Sequence, residues 1–147
     1  MDIKQIREDE LENLLELYKY LHSEENYTAP NNKIKMIWKE IQNNSSIKIF
    51  VIEANNKIVS SCVLYIFPNL TRDARPHALI ENVITHPNYR RHGYAKSLLN
   101  FVINYSKKKN CYKIMLLSSK NRIEAHKLYE NVGFDKDKKY GFSLYFD

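Results

Sequence analysis

The sequence predicts a mixed α/β fold, and three features of the chain predict it. Residues 78–85, Ala-Leu-Ile-Glu-Asn-Val-Ile-Thr, form an apolar run stopped by Pro87, and a helical pattern opens just after Gly93. Residues 112–117 form a second, nearly continuous apolar run, the pattern of a strand covered on both faces. Two further strand-like runs, 47–53 and 58–67, are joined through Asn55-Asn56, and asparagine tolerates the positive φ of a tight hairpin turn. Strand, helix and strand within about 40 residues make a right-handed βαβ crossover.

The elements follow in order. Residues 2–7 alternate weakly and read as a short first strand. Leu11, Leu14, Leu15, Tyr18 and Leu21 recur at helical spacing, and Ile34, Ile37, Trp38 and Ile41 repeat that spacing after Pro30, so two amphipathic helices are predicted. Asn43-Asn-Ser-Ser46 breaks the second helix ahead of the hairpin, and residues 67–76 form a polar loop leading to the run at 78–85. Beyond Gly93, Ala95, Leu98, Leu99, Val102 and Ile103 line one face of a helix running to about Lys108. Lys107, Lys108 and Lys109 then complement the negative end of its dipole. Asn121, with Glu124 three residues on, resembles a capping box opening a last helix, with Ala125, Leu128, Tyr129 and Val132 on one face and Gly133 as its stop. Phe134 and residues 140–146 supply a final strand or pair of strands. No repeat, low-complexity segment or linker interrupts the 147 residues, so one domain over 1–147 is expected.

Composition narrows the function. The 44% apolar and 27% charged content is that of a globular protein. No run approaches the ~18 apolar residues of a membrane span, and the N-terminus lacks the apolar stretch of a secretory signal. Cys62 and Cys111 both stand in apolar runs, so buried free thiols and a cytoplasmic location are expected, with neither a membrane nor a metal partner. The net charge of +6 raises nucleic acid as a partner, but the cations are scattered and no reader motif is present, so none is expected.

The segment from Arg90 to Lys96 instead describes a seat for a phosphorylated ligand. The first N–H groups of a helix lack partners inside it and carry partial positive charge. Gly93 lets a bulky anion approach the backbone, and Arg90 and Arg91 add full charges beside it. Glu81 interrupts an apolar strand, where a charge needs a reason. It is a base with a pKa raised by partial burial, or a carboxylate paired with an arginine of the 72–75 loop or turned to solvent.

Arg90-Arg-His-Gly-Tyr-Ala95 matches the Arg/Gln-x-x-Gly-x-Gly/Ala signature of the GNAT superfamily of N-acetyltransferases. The strand before it, the helix after it and Ala125-His-Lys-Leu-Tyr-Glu-Asn-Val-Gly-Phe134 stand where that family's motifs stand. The chain therefore resembles this family from about Ala78 to Phe134. Ile80-Glu-Asn-Val83 and Cys111-Tyr-Lys-Ile-Met-Leu116 also look like runs of glucosamine-6-phosphate N-acetyltransferases, although Asn82 stands where those enzymes usually carry an acid.

The resemblance implies a GNAT fold, a mixed sheet with about four helices and a V-shaped cofactor gap between two parallel strands. It implies acetyl-coenzyme A as donor and a small-molecule amine as acceptor. The amides of Arg91, His92, Gly93, Tyr94, Ala95 and Lys96 would hold the diphosphate, with Arg90 nearby. Val83, Ile84 and Thr85 would pair with the pantetheine arm as another strand would. Asn121 is a cofactor contact, a helix cap, or both. Tyr129 matches the position of the general acid, and packing on an apolar helix stripe is its alternative role. Asn82 orients substrate or water if strand irregularity turns it inward, and otherwise faces outward without a role. His22 and Tyr27, in the helical region that roofs the acceptor site in relatives, contact the acceptor or form the apolar underside of two packed helices, and Arg72 and Arg75 complete the candidate acceptor contacts. His86, His92 and His126 are expected at the surface. Relatives are often homodimers, and residues 140–146 either complete the sheet or add to a partner's edge.

Overall fold

The computed structural model describes residues 1–22 and 29–146. Five strands, β1 (Ile3–Gln5), β2 (Ile47–Ala54), β3 (Lys57–Phe67), β4 (His77–Thr85) and β5 (Ile114–Met115), form one sheet in the order β1-β2-β3-β4-β5. Neighbours run antiparallel except β4 and β5, which are parallel. The β2–β3 hairpin turns on Asn55 and Asn56 at φ 52° and 60°, the left-handed pair that the dipeptide predicts.

Four α-helices are described: α1 (Leu11–Tyr18), α2 (Asn32–Asn43), α3 (Tyr94–Lys108) and α4 (Ile123–Asn131). Asn31 caps α2 by accepting from the Ile34 N–H at 2.9 Å. Side chains alternate across the strands, so Ile49 and Val51 of β2 pack with Leu14, Leu17 and Trp38 of α1 and α2. Phe50, between them in sequence, meets Phe101 and Tyr105 of α3 edge-on, both at 5.1 Å. Helices thus cover both faces of the sheet. Among the described residues no helix is long and apolar enough to cross a membrane.

The N-terminal strand is tied to its neighbours by ions as well as by its ladder. Glu10, in a 3-10 turn over Glu8–Glu10, is buried and accepts from Lys4 Nζ at 2.7 Å and from the Arg7 N–H at 2.7 Å. Lys4 also reaches Glu53 of β2 at 2.8 Å. Burial alone would raise the Glu10 pKa, but these partners together hold it down at about 2.

The chain clusters into two compact units, residues 1–115 and the residues from Leu116 onward. In the second unit Gly133 takes φ 107° and ends α4 as predicted. The Gly133 N–H donates to Glu130 O at 3.0 Å and the Phe134 N–H to Tyr129 O at 3.0 Å, a Schellman arrangement whose apolar contact is the edge-on Tyr129–Phe134 ring pair at 6.2 Å.

Three expectations are corrected, and the polar loop is refined. The run at 112–117 is a strand only over Ile114–Met115, the two residues that pair with Ala78 and Leu79 of β4. The cap of α4 is Arg122 rather than Asn121, with no side-chain bond, so the Asn121–Glu124 capping box does not form. Residues 134–146 hold no strand, and Tyr140, Phe142, Leu144, Tyr145 and Phe146 are exposed. The 67–76 loop contains a four-residue turn, Thr71–Ala74, with Arg72 and Asp73 left-handed at φ 56° and 59°.

Candidate active site

Strand β4 is the spine of the site, and a bulge shapes it. On β3, Ser61 faces Ile84 and Val63 faces Glu81, so Cys62 alone opposes both Asn82 and Val83. The extra residue is accommodated at Asn82, which sits left-handed at φ 52°, a conformation that asparagine tolerates better than most side chains. Strict alternation would send Glu81 and Asn82 to opposite faces. Instead Glu81 pairs with Val63, and both Val63 and Asn82 line one cavity.

That cavity, of about 240 Å³, lies between the sheet and the first two helices. Leu11, Tyr18, Ile34 and Trp38 supply much of its apolar wall, and Tyr65, Lys33 and Asn82 bring polar groups to it. Tyr65 is half-buried, and burial followed by the charge of Glu81 pushes its hydroxyl pKa up. Trp38 is fixed by donating its indole N–H to Glu8 O at 2.9 Å. The Ser61 hydroxyl, on the same face of β3 as Val63 and Tyr65, is buried without a hydrogen-bond partner. Tyr65, Lys33 and Ser61 were not singled out in the sequence, where no spacing links them to Asn82.

Beyond the bulge, β4 has an open edge. Its parallel ladder with β5 contains only the Ala78–Ile114 and Leu79–Met115 pairs, so Ile80 to Thr85 have no strand partner on that side among the described residues. On the other side, Ser60 Oγ lies 2.9 Å from Thr85 Oγ1, and the His86 N–H donates to Val59 O at 2.8 Å, which anchors the strand end. A 3-10 turn, Pro87–Tyr89, follows, and His86 Nδ1 caps it by accepting from the Asn88 N–H at 3.2 Å.

The segment expected to seat an anion lies next. Arg91 (φ 62°) and Gly93 (φ 82°) are left-handed, a backbone pattern that curls successive N–H groups toward one concavity. Gly93 is the N-cap of α3, and no side chain caps that end. The first bond within the helix is Ser97 N–H to Gly93 O at 3.0 Å, so the amides of Tyr94, Ala95 and Lys96 precede the ladder. Arg90 is exposed and folds back to donate to Thr85 O at 3.1 Å, tying the seat to the β4 edge. Val83, Ile84 and Thr85 thus lead from the bulge directly to this helix start.

Some of the other candidate residues differ from expectation and some match it. Glu81 is exposed rather than partly buried, and among the described residues no ion pair reaches it. Arg75 donates to Asn110 O and Cys111 O at 3.2 and 3.1 Å, while Arg72 lies 5.7 Å over the Tyr112 ring. Both therefore brace the approach to β5, and Lys33 is the cation at the cavity. His22 is exposed just past α1, and Tyr27 lies outside the described residues. His92 is exposed, His86 packs edge-on to Tyr20 and Tyr89, and His126 Nε2 lies 2.8 Å from Ser119 O. In the second unit Asn121 is exposed, and Tyr129 is the buried residue of α4. Cys62 and Cys111 are free and buried, and burial pushes the Cys62 thiol up to about 12. No cluster of metal-ligating side chains occurs among the described residues.

A family model described as acetyltransferase (GNAT) family matches residues 5–134. A glucosamine 6-phosphate N-acetyltransferase of Trypanosoma brucei brucei is 37% identical over 87 residues, 59% of this chain and 57% of that protein. The chain spans 57% and 60% of the lengths of the two curated relatives it matches here. A solved structure from Agrobacterium tumefaciens str. C58, provisionally assigned as an acetyltransferase, superposes with a TM-score of 0.92 at 33% identity, covering 99% of both chains. One from Bacillus halodurans C-125, described as a transcriptional regulator, superposes at 0.89 with 27% identity and the same coverage.

Proposed function

The chain belongs to the acetyltransferase (GNAT) family, and on that footing we propose that it moves the acetyl group of acetyl-coenzyme A onto a primary amine of a small molecule. The amine attacks directly, with both substrates bound. The observation that carries this reading is one continuous path: a bulged, open-edged β4 running into an uncapped helix start at Gly93. Both features suit a long ligand with an amide-bearing arm and a diphosphate.

Acetyl-coenzyme A supplies the thioester, and the roles of the side chains follow from its shape. Amides from Arg91 to Lys96 hold the diphosphate, with the Arg90 and Arg91 charges beside it. The open edge at Val83, Ile84 and Thr85 bonds the pantetheine amides, and a backbone N–H of this stretch polarises the thioester carbonyl. Asn121 adds a further cofactor contact. Tyr129 donates the proton that the departing sulfur needs, since a phenol of pKa about 10 lies close to a thiol. Glu81 accepts the proton of the amine through water, which suits its exposed position.

The acceptor binds in the 240 Å³ cavity, where Asn82 orients it and Lys33 favours a phosphate or carboxylate substituent. His22 is a further acceptor contact in this reading. Residues 1–147 act as one acetyltransferase domain. Two buried free thiols suit a cytoplasmic setting.

Thioester consumption measured across amino sugars, aminoglycosides, polyamines and amino acids tests the reading. Turnover with one small-amine class, lowered in Glu81→Gln, supports it. Cofactor binding without consumption by any amine leaves a sensor of acetyl-coenzyme A, and preference for a protein amino terminus or lysine moves the acceptor out of the cavity.

A further inference from the structure

We infer, resting on the acetyl transfer proposed above, that the acceptor is a monoamine with an apolar body the size of one aromatic ring and a short chain, not an amino sugar, aminoglycoside or polyamine. Among the described residues the cavity is lined by eight aliphatic side chains, three aromatic ones, Lys33 and Asn82. No carboxylate belongs to that lining. Helix α1 gives it positions 11, 14, 15 and 18, and α2 gives it 34, 37, 38 and 41. Apart from the rim at Lys33, each helix thus turns its apolar stripe to the cavity.

Each class of amine meets this wall differently. A polyamine or an aminoglycoside carries several ammonium groups, and inside an apolar enclosure each needs a counter-charge. The charged side chain in the lining is itself a cation, Lys33. An amino sugar brings a hydroxyl on most of its carbons, and every one left unpaired forfeits its hydrogen bonds to water. Polar side-chain atoms in the lining are few, because the Trp38 indole N–H is already given to Glu8 O at 2.9 Å. An apolar body instead gains from each methylene that it takes out of water. Lys33 is exposed, so an acid substituent on such a body sits at the mouth.

Size selects among the apolar amines. An apolar cavity of ~150 Å³ holds benzene, so 240 Å³ accepts a ring with a short chain. Two aromatic walls are fixed in advance. The Tyr65 ring stacks on Phe67 with centroids 6.1 Å apart and planes 4° from parallel, and Trp38 is buried and tied through its indole. Walls that need no reorganisation keep the full gain from burial. The amine end points to Asn82, where the β4 bulge brings the cavity up to the open strand edge.

Thioester consumption by the full chain tests this with 2-phenylethylamine, the straight-chain amines from propylamine to hexylamine, glucosamine 6-phosphate, kanamycin and spermidine. Along the alkyl series kcat/KM should rise about fourfold per methylene. It should be at least about tenfold higher for 2-phenylethylamine than for each of the last three. A flat alkyl series, or preference for any of those three, overturns the inference and leaves acetyl transfer standing. Trp38 is the sole tryptophan and lines the cavity, so its fluorescence reports occupancy without turnover. In the coenzyme A-loaded protein, 2-phenylethylamine should shift that emission saturably, and spermidine should not. If no amine consumes thioester, acetyl transfer fails; a saturable shift then still supports an apolar amine ligand, and its absence overturns the inference as well. Ile34→Asn should lower kcat/KM for 2-phenylethylamine about tenfold and narrow its lead over glucosamine 6-phosphate. If that variant fails to fold, the wild-type series decides.

Discussion

Asn82 shows how one residue redirects a strand. A left-handed residue in a central strand costs most side chains roughly 1–2 kcal/mol, and asparagine reduces that cost by local hydrogen bonding. The result is a bulge that turns two successive polar residues toward the cavity side, which no alternating pattern could do. Tyr129 is placed by the chain's local chemistry instead. Gly133 ends α4 in a Schellman motif, and Phe134 packs edge-on against the tyrosine ring. Replacing Tyr129 by phenylalanine keeps that packing and removes only the hydroxyl, so turnover should fall at least tenfold with the KM for acetyl-coenzyme A little changed. Unchanged turnover in steady-state assays would return Tyr129 to a packing role.

At the scale of elements, the start of α3 and the anchoring of β1 lead to separate expectations. A methyl group at position 93 would meet only Met1 Cε at 3.9 Å, so the difficulty there is conformational, not steric. Gly93→Ala should lower stability by about 1 kcal/mol through the φ of 82°. It should also weaken coenzyme binding several-fold, and calorimetric titration with coenzyme A checks both by comparison with melting data. The Lys4–Glu10–Glu53 network gives a pH signature. Glu10 falls from its ordinary 4.5 to about 2 in the folded state, so its charged form favours folding above about pH 4.5. That contribution fades as pH drops toward 2. The Lys4 pKa is raised from 10.5, so its contribution holds below that pH and is lost as pH rises through the folded value. Urea melts should therefore find Glu10→Gln at least ~2 kcal/mol less stable at neutral pH, with the gap narrowing in acid. A gap that stays constant from pH 7 to pH 2.5 would contradict the network's role.

For the whole molecule, the net charge of +6 is spread over elements with different duties. Lys4 and Arg7 are bound to Glu10, Arg75 braces the entry to β5, and Lys107 and Lys108 close α3. Duplex DNA should accordingly bind weakly, without the steep salt dependence of a protein that neutralises many phosphates; a fluorescence titration at two salt concentrations measures this. The turn at Pro87 and the helix start at Gly93 were legible before any coordinates, because Pro87, Gly93 and the apolar stripe of α3 are local signals whose physics acts within a few residues. The Asn55-Asn56 turn and the stop at Gly133 are legible for the same reason, whereas the cap at Asn31 came only with the structure. Other features were not legible. The ions of Lys4, Glu10 and Glu53, the bracing bonds of Arg75, the short β5 and the bare segment after Tyr140 depend on partners far along the chain. The cavity draws its wall from α1, α2, β2, β3 and β4, and its polar groups Lys33, Tyr65 and Asn82 are separated by tens of residues. Sequence alone determined where most helices and turns lie, since dihedral preference and periodicity are short-range. Tertiary structure alone decided which side chains share a cavity and which strand edge stays open, because burial and pairing are settled only when distant segments meet.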